Sequence, residues 1–176
     1  MACMLVAATT LSGQQAKPAE YEVKAAYLYN FGRFVEWPDN APSSTGDSFP
    51  ICVLGQDPFG RILDEALAGQ TIDGKQVVPR RIARSQDAVN CRILFIRSLK
   101  DRELTDALAT LDKAGVLTVS DMPEFSRRGG MIEFVLQGNK VRFQVNLVSA
   151  EAAGLTLSSE LLKVAVAVKR NPQPGD

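Results

Sequence analysis

Among the 176 residues there is no histidine. That absence excludes Ser-His and Cys-His nucleophile pairs, His-ligated metal sites and imidazole proton relays. Catalysis, if any, would fall to carboxylates, lysine, tyrosine, cysteine or a cofactor. Net charge is missing too, because twenty Lys plus Arg balance twenty Asp plus Glu. No overall field draws the chain to nucleic acid or to an anionic membrane, although local basic spots remain. Long apolar runs are lacking: Ala2 to Leu11 is uncharged and rich in small residues, but it is too short to cross a bilayer. Cysteines number three, with no CxxC pair among them. What is present is 45% hydrophobic and 23% charged residues, enough for one globular domain with a sizeable core.

The Ala2 to Leu11 run and the polar Ser12 to Gln15 after it resemble the end of a secretory signal, so residues 1–16 are read as a signal remnant. The basic start of such a signal is missing, since Lys17 is the first cation; a start internal to a longer product would explain this. Cleavage after Ser12 or after Ala16 are the alternatives, and a buried strand or a disordered tail is the plainer reading. At the other end, residues 171–176, with Pro172, Pro174 and Gly175, are expected to be disordered. With Cys3 inside the signal, Cys52 and Cys91 remain as a pair. Export would favour a disulfide between them; the alternative is two buried thiols acting as small hydrophobes.

From Glu20 to Trp37 the spacing of Val23, Tyr27, Phe31 and Phe34 predicts a helix, with Glu22, Lys24, Asn30 and Arg33 off its apolar stripe and Trp37-Pro38 ending it. A loop at 39–48 leads to a buried strand at Phe49–Leu54, and Pro58 introduces a helix carrying Ile62, Leu63, Ala66 and Leu67. Gln76–Ala83 is a second strand, placed at an edge or bulge by Pro79. Arg92–Ile96 and Val116–Val119 are strands flanking a helix that starts at a Ser98/Asp101 cap and runs to about Lys113. Gly138-Asn139 joins Met131–Leu136 to Val141–Val145 as a hairpin. A helical segment from Leu147 to about Ala153 follows, and then an apolar helix capped by Ser158 or Ser159 that reaches Val168. Strands separated first by helices and later by a hairpin predict a single α/β sandwich at 20–170, its mixed sheet parallel in the first part.

Chemical motifs are weak. Gly55 and Gly60 have phosphate-loop spacing after a strand, yet Arg61-Ile62 stands where Lys-Ser/Thr is required. Ser159 and Lys163 lack a nucleophile context. Asp101, Glu103, Asp106 and Asp112 lack the spacing of a calcium loop and read as a solvated helix face. The concentrations Arg80, Arg81, Arg84 and Arg127, Arg128 are either solvated or forks for a carboxylate, a phosphate or an acidic surface. Trp37 is either core or an interface anchor.

Several segments resemble the YfiR-like family of exported bacterial proteins. They are Val23-Lys24-Ala25-Ala26-Tyr27-Leu28-Tyr29-Asn30-Phe31 leading to Phe34-Val35-Glu36-Trp37-Pro38, then Gly55 with Asp57-Pro58-Phe59-Gly60, and Cys91 before Ile93-Leu94-Phe95-Ile96. Arg128-Gly129-Gly130-Met131-Ile132, Gly138-Asn139-Lys140-Val141-Arg142-Phe143, Ala153-Gly154-Leu155 and Ser158-Ser159 continue the match. The resemblance implies a periplasmic α/β domain, homodimeric, without enzymatic activity, cofactor or metal. It implies a structural disulfide at Cys52 and Cys91. It also implies a role restraining the periplasmic sensor region of an inner-membrane diguanylate cyclase, and hence cyclic di-GMP and biofilm formation, with an outer-membrane-associated lipoprotein relieving the restraint. A second cysteine pair known in one member near Phe125 to Met131 is absent here, so redox tuning and partner identity do not carry over. Arg33, Trp37, Arg127 and Arg128 are the expected partner contacts. The alternative function is a periplasmic small-molecule sensor, working with a sensor kinase or an outer-membrane receptor, that uses the opening beside Gly55 and the arginines.

Overall fold

The computed structural model describes residues 16–41, 46–97 and 99–171. The signal-remnant reading of the first residues, the middle of the 39–48 loop, the cap at Ser98 and the 172–176 tail lie outside them. Strands β1 (Val35–Glu36) and β9 (Thr156–Leu157) form a separate antiparallel pair, and the other eight form a sheet in the spatial order β10-β8-β7-β6-β5-β2-β4-β3. Its members are β2 (Ser48–Gly55), β3 (Thr71–Ile72), β4 (Lys75–Ile82), β5 (Ile93–Arg97), β6 (Leu117–Ser120), β7 (Ile132–Gln137), β8 (Lys140–Asn146) and β10 (Ala167–Lys169). Strands β4, β2, β5, β6 and β7 are mutually parallel. The hairpin β7–β8 adds an antiparallel pair, with Phe134 opposite Phe143. Gly138 and Asn139 both take positive φ in its turn, 52° and 62°, as the two-residue connection requires. The expected mixed α/β sandwich, parallel first and with a hairpin later, is the observed fold.

Continuous apolar runs in β2 and β5 follow from cover on both faces of the sheet. Alternate side chains separate into two cores: Ile51, Val53, Ile93, Phe95 and Val119 on one side, Cys52, Leu54, Leu94 and Ile96 on the other. The first core lies under α1 (Ala16–Phe34), α2 (Arg61–Leu67), α4 (Leu147–Ala152) and α5 (Ser159–Val164); the second lies under α3 (Asp101–Thr110) and a 3-10 turn at Ser85–Asn90. Cys52 and Cys91 form a disulfide with Cα atoms 6.0 Å apart, inside the second core, joining β2 to the turn that precedes β5.

Three local expectations are corrected. The buried face of α1 is Tyr21, Lys24, Ala25, Leu28 and Phe31, whereas Val23 is 44% exposed and Phe34 also faces water. The stripe was misphased because a buried lysine was counted as polar surface. Helix α3 is capped at Lys100, whose backbone N–H donates to the Glu103 carboxylate at 3.1 Å. The final helix stops at Val164, and β10 then joins the sheet edge parallel to β8. Val168 is the β-branched centre of β10, opposite Val145, a residue type that suits a strand once a paired edge is available. Pro79 sits where it was expected: beyond β4 lies only β3, which pairs with Lys75 and Gln76, so the missing N–H of Pro79 interrupts no outer ladder.

Candidate functional site

The chain leaves β2 for β4 on one side and then crosses to β5 on the other, so the direction of winding reverses between β2 and β5. In open α/β sheets the carboxyl ends of the strands flanking such a reversal splay apart and leave a crevice. Here the crevice is a cleft of about 730 Å³ whose lining includes Gln56 after β2, Arg97 ending β5 and Asp121 after β6. Helix α1 closes one side with Glu20, Tyr21 and Lys24, and β7 the other with Glu133 to Leu136. At the β2 end, Gly55 has φ 89°, and a Cβ there would overlap the carbonyl oxygen of Arg97. Only glycine allows the two backbones to approach this closely. Gly55→Ala is expected to lower stability by about 2 kcal/mol or more through backbone strain and displacement of β5, measurable as a shift in urea midpoint; an unchanged midpoint would refute the close-approach account.

Lys24 is the least expected member, with only 3% of its side chain exposed. Its Nζ donates to Asp121 Oδ2 at 2.7 Å and to Glu20 Oε1, one helical turn back. The same ammonium stands 4.4 Å from the centre of the Tyr21 ring. Tyr21 Oη donates to Asp121 Oδ2 at 2.9 Å and accepts from Arg97 Nη1, which lies 3.6 Å from that carboxylate oxygen. Two cations and two anions therefore close into one neutral network, the arrangement a buried ammonium requires. Glu133 also borders the cleft, but its carboxylate faces the 121–130 loop, accepting from Ser126 N at 2.9 Å, Ser126 Oγ at 2.8 Å and Glu124 N at 3.2 Å.

The sequence profile of the YfiR/HmsC-like family matches residues 21–166. The chain belongs to this family. The matched span takes in every strand flanking the cleft, both disulfide cysteines and the Arg127-Arg128 loop of this YfiR/HmsC-like chain. No curated protein matches it. Among solved structures it is similar to the ABC domain in complex with L-Trp from Streptococcus pneumonia, at 10% identity and a TM-score of 0.54 over 82% of this chain. It is also similar to a conserved domain protein from Vibrio cholerae o1 biovar eltor, at 13% identity and a TM-score of 0.50 over 68% of this chain. The matches span 60% and 54% of those two chains respectively, and at such identities the likeness is one of fold.

The four residues singled out as partner contacts fall in two places on this YfiR/HmsC-like fold. Trp37 is half-buried at the amino ends of the central strands, edge-on to Phe49 at 5.2 Å, with its indole N–H donating to the Arg92 carbonyl at 3.2 Å. Arg33 is exposed on the last turn of α1. Arg127 and Arg128 stand in the loop beyond β6, at the carboxyl ends. Arg127 has 79% of its side chain exposed and pairs with Glu124 at 2.8 Å, whereas Arg128 reaches Asp101 Oδ1 at 3.0 Å and ties the loop to α3. Of the Arg80, Arg81 and Arg84 group, Arg81 is engaged by Asp57 and Asp64 and Arg84 by Asp87. Arg92 is 8% exposed, its guanidinium lies 5.7 Å from the Trp37 ring, and its Nε has no hydrogen-bond partner. Burial pushes the Arg92 guanidinium below the ordinary arginine value, opposed by the charge of Asp73.

The cleft network of Tyr21, Lys24, Arg97 and Asp121 was not singled out in the sequence. Gln56, Arg97 and Asp121 each stand at or just past the end of a parallel strand, and that position was the available signal. Among the described residues there is no cluster of three or more His, Cys, Asp or Glu that would hold a metal, and no helix is long and apolar enough to cross a membrane.

Proposed function

We propose that this chain is a non-enzymatic regulator of the bacterial periplasm that binds and restrains the periplasmic sensor region of an inner-membrane signalling protein, in the first place a diguanylate cyclase. On this reading it acts as a homodimer, is relieved by an outer-membrane-associated lipoprotein, and controls cyclic di-GMP and biofilm formation without touching the nucleotide. The observation that carries the reading is the YfiR/HmsC-like match over residues 21–166. The fully buried Cys52–Cys91 bridge supports it, because such bonds persist outside the reducing cytosol.

A regulator of this kind needs a few anchoring side chains at a contact surface. Arg127, exposed at the rim of a loop fixed from beneath by Glu133, suits that role. Replacing Arg127 and Arg128 by Glu is expected to weaken capture of the membrane partner tenfold or more, since reversed charge at an interface opposes both approach and retention. Pull-down from solubilised membranes after crosslinking in intact cells, with circular dichroism as a folding control, is the test. Because Arg128 also bonds to Asp101, Arg127→Glu alone is the cleaner variant; unchanged capture by both would remove these residues from the interface. A second reading, a small-molecule sensor, is favoured by the cleft at the carboxyl ends of β2 and β5.

A further inference from the structure

We propose that this cleft is a binding site for a small carboxylate bearing an apolar tail. The proposal rests on the second reading and supplies its site and ligand class. A volume of about 730 Å³ falls within the roughly 300–1,000 Å³ of small-molecule sites.

The charges in the cleft have unequal freedom. Lys24 is already held by Glu20 and Asp121, so it is not the anion receptor. Arg97 is a different case. Its Nη1 meets Tyr21 and Asp121, but its Nε and Nη2 have no partner among the described residues, and a third of the side chain is exposed in the cleft. Nε and Nη2 form one edge of the planar guanidinium, the fork that takes both oxygens of a carboxylate. The two carboxylates beside it, Glu20 and Asp121, are balanced by Lys24 and Arg97 together, while that of Glu133 is turned into its loop. A monoanion on the open edge of Arg97 therefore leaves this neutral network with one excess negative charge, the least that any anion adds. A dianion such as a phosphate monoester would bring its second charge against Glu20 and Asp121 with no further unpaired cation among the described lining residues, so a monocarboxylate is favoured. The walls supply the rest of the recognition: Pro58, Ile62 and Val135 line the cleft with Leu136, which is 58% exposed. An apolar tail laid along Leu136 would remove that surface from water.

Isothermal titration of the full protein, purified from a bacterial periplasm, with 3-phenylpropionate and with the uncharged 3-phenylpropanamide is the test. The acid is expected to bind saturably and at least tenfold tighter than the amide, a margin set by the charge-assisted fork. Arg97→Gln is expected to remove that margin while leaving binding of the amide unchanged. Should Arg97→Gln fail to fold, Leu136→Asp, at an exposed position, is the second variant and is expected to reject the acid. Equal binding of acid and amide, or acid binding unaffected in a folded Arg97→Gln or Leu136→Asp protein, overturns the carboxylate assignment and leaves the sensor reading standing. Absence of saturable binding by either probe at millimolar concentration overturns both, and neither result bears on partner capture by Arg127.

Discussion

Replacing Cys52 and Cys91 together by alanine is expected to lower the stability of the domain by about 4 kcal/mol, the chain-entropy value for releasing a loop of this size. The two cysteines are separated by 39 positions, and the bridge spans α2, β3 and β4. Without it the unfolded chain regains the freedom of that loop, while the folded state loses contacts inside the second core. For a domain of this length the change corresponds to a fall in melting temperature of roughly 8–16 °C. Because both sulfurs belong to residues that are essentially inaccessible, dithiothreitol is expected to leave the native bond intact and to reduce it only in denaturant. A double variant that melts within a degree or two of the parent, or rapid reduction under native conditions, would contradict this account.

Asp121→Ala is expected to be the most damaging single change in the cleft, at about 3 kcal/mol, because breaking a buried pair leaves its partner charge uncompensated. Lys24 would keep only Glu20, and Tyr21 Oη would lose its acceptor. The diagnostic feature is the asymmetry between partners. Lys24→Met removes the buried charge and fills the space with an unbranched apolar chain, so adding it to Asp121→Ala is expected to restore about half of the loss or more. Equilibrium urea unfolding of the two single variants and the double closes the cycle. Strict additivity would show that the ammonium and the carboxylate do not depend on each other, and would remove the network as the tie between α1 and β6.

Lys24 also shows where reading from residues alone stops. Apolar periodicity found α1, since Tyr27 and Phe31 are one helical turn apart, although the helix spans Ala16–Phe34 and not Glu20 to Trp37. It placed the wrong flank inward, because Val23 is apolar and exposed while Lys24 is charged and buried. The compensating carboxylate of Asp121 stands 97 positions away, so no local window contains the reason the lysine can be inside. The last helix failed for a related cause. Val166 to Lys169 can satisfy either geometry, and the open edge of β8, not local preference, selects the strand.

The cleft carries the same lesson at the level of function. The opening beside Gly55 was visible in the sequence, but Arg81 and Arg84 are held by their own carboxylates, and the arginine that lines the cleft is Arg97 on another strand. Taken by itself, the sequence determined the parallel strands, the hairpin and the absence of histidine chemistry, because those depend on side-chain period, turn residues and composition, all of them local properties. The Cys52–Cys91 pairing, which the family resemblance implied, is present, whereas burial of Lys24 and the meeting of Tyr21, Arg97 and Asp121 were decided only when the sheet assembled, because contacts between distant segments depend on strand order, and strand order is a property of the whole fold.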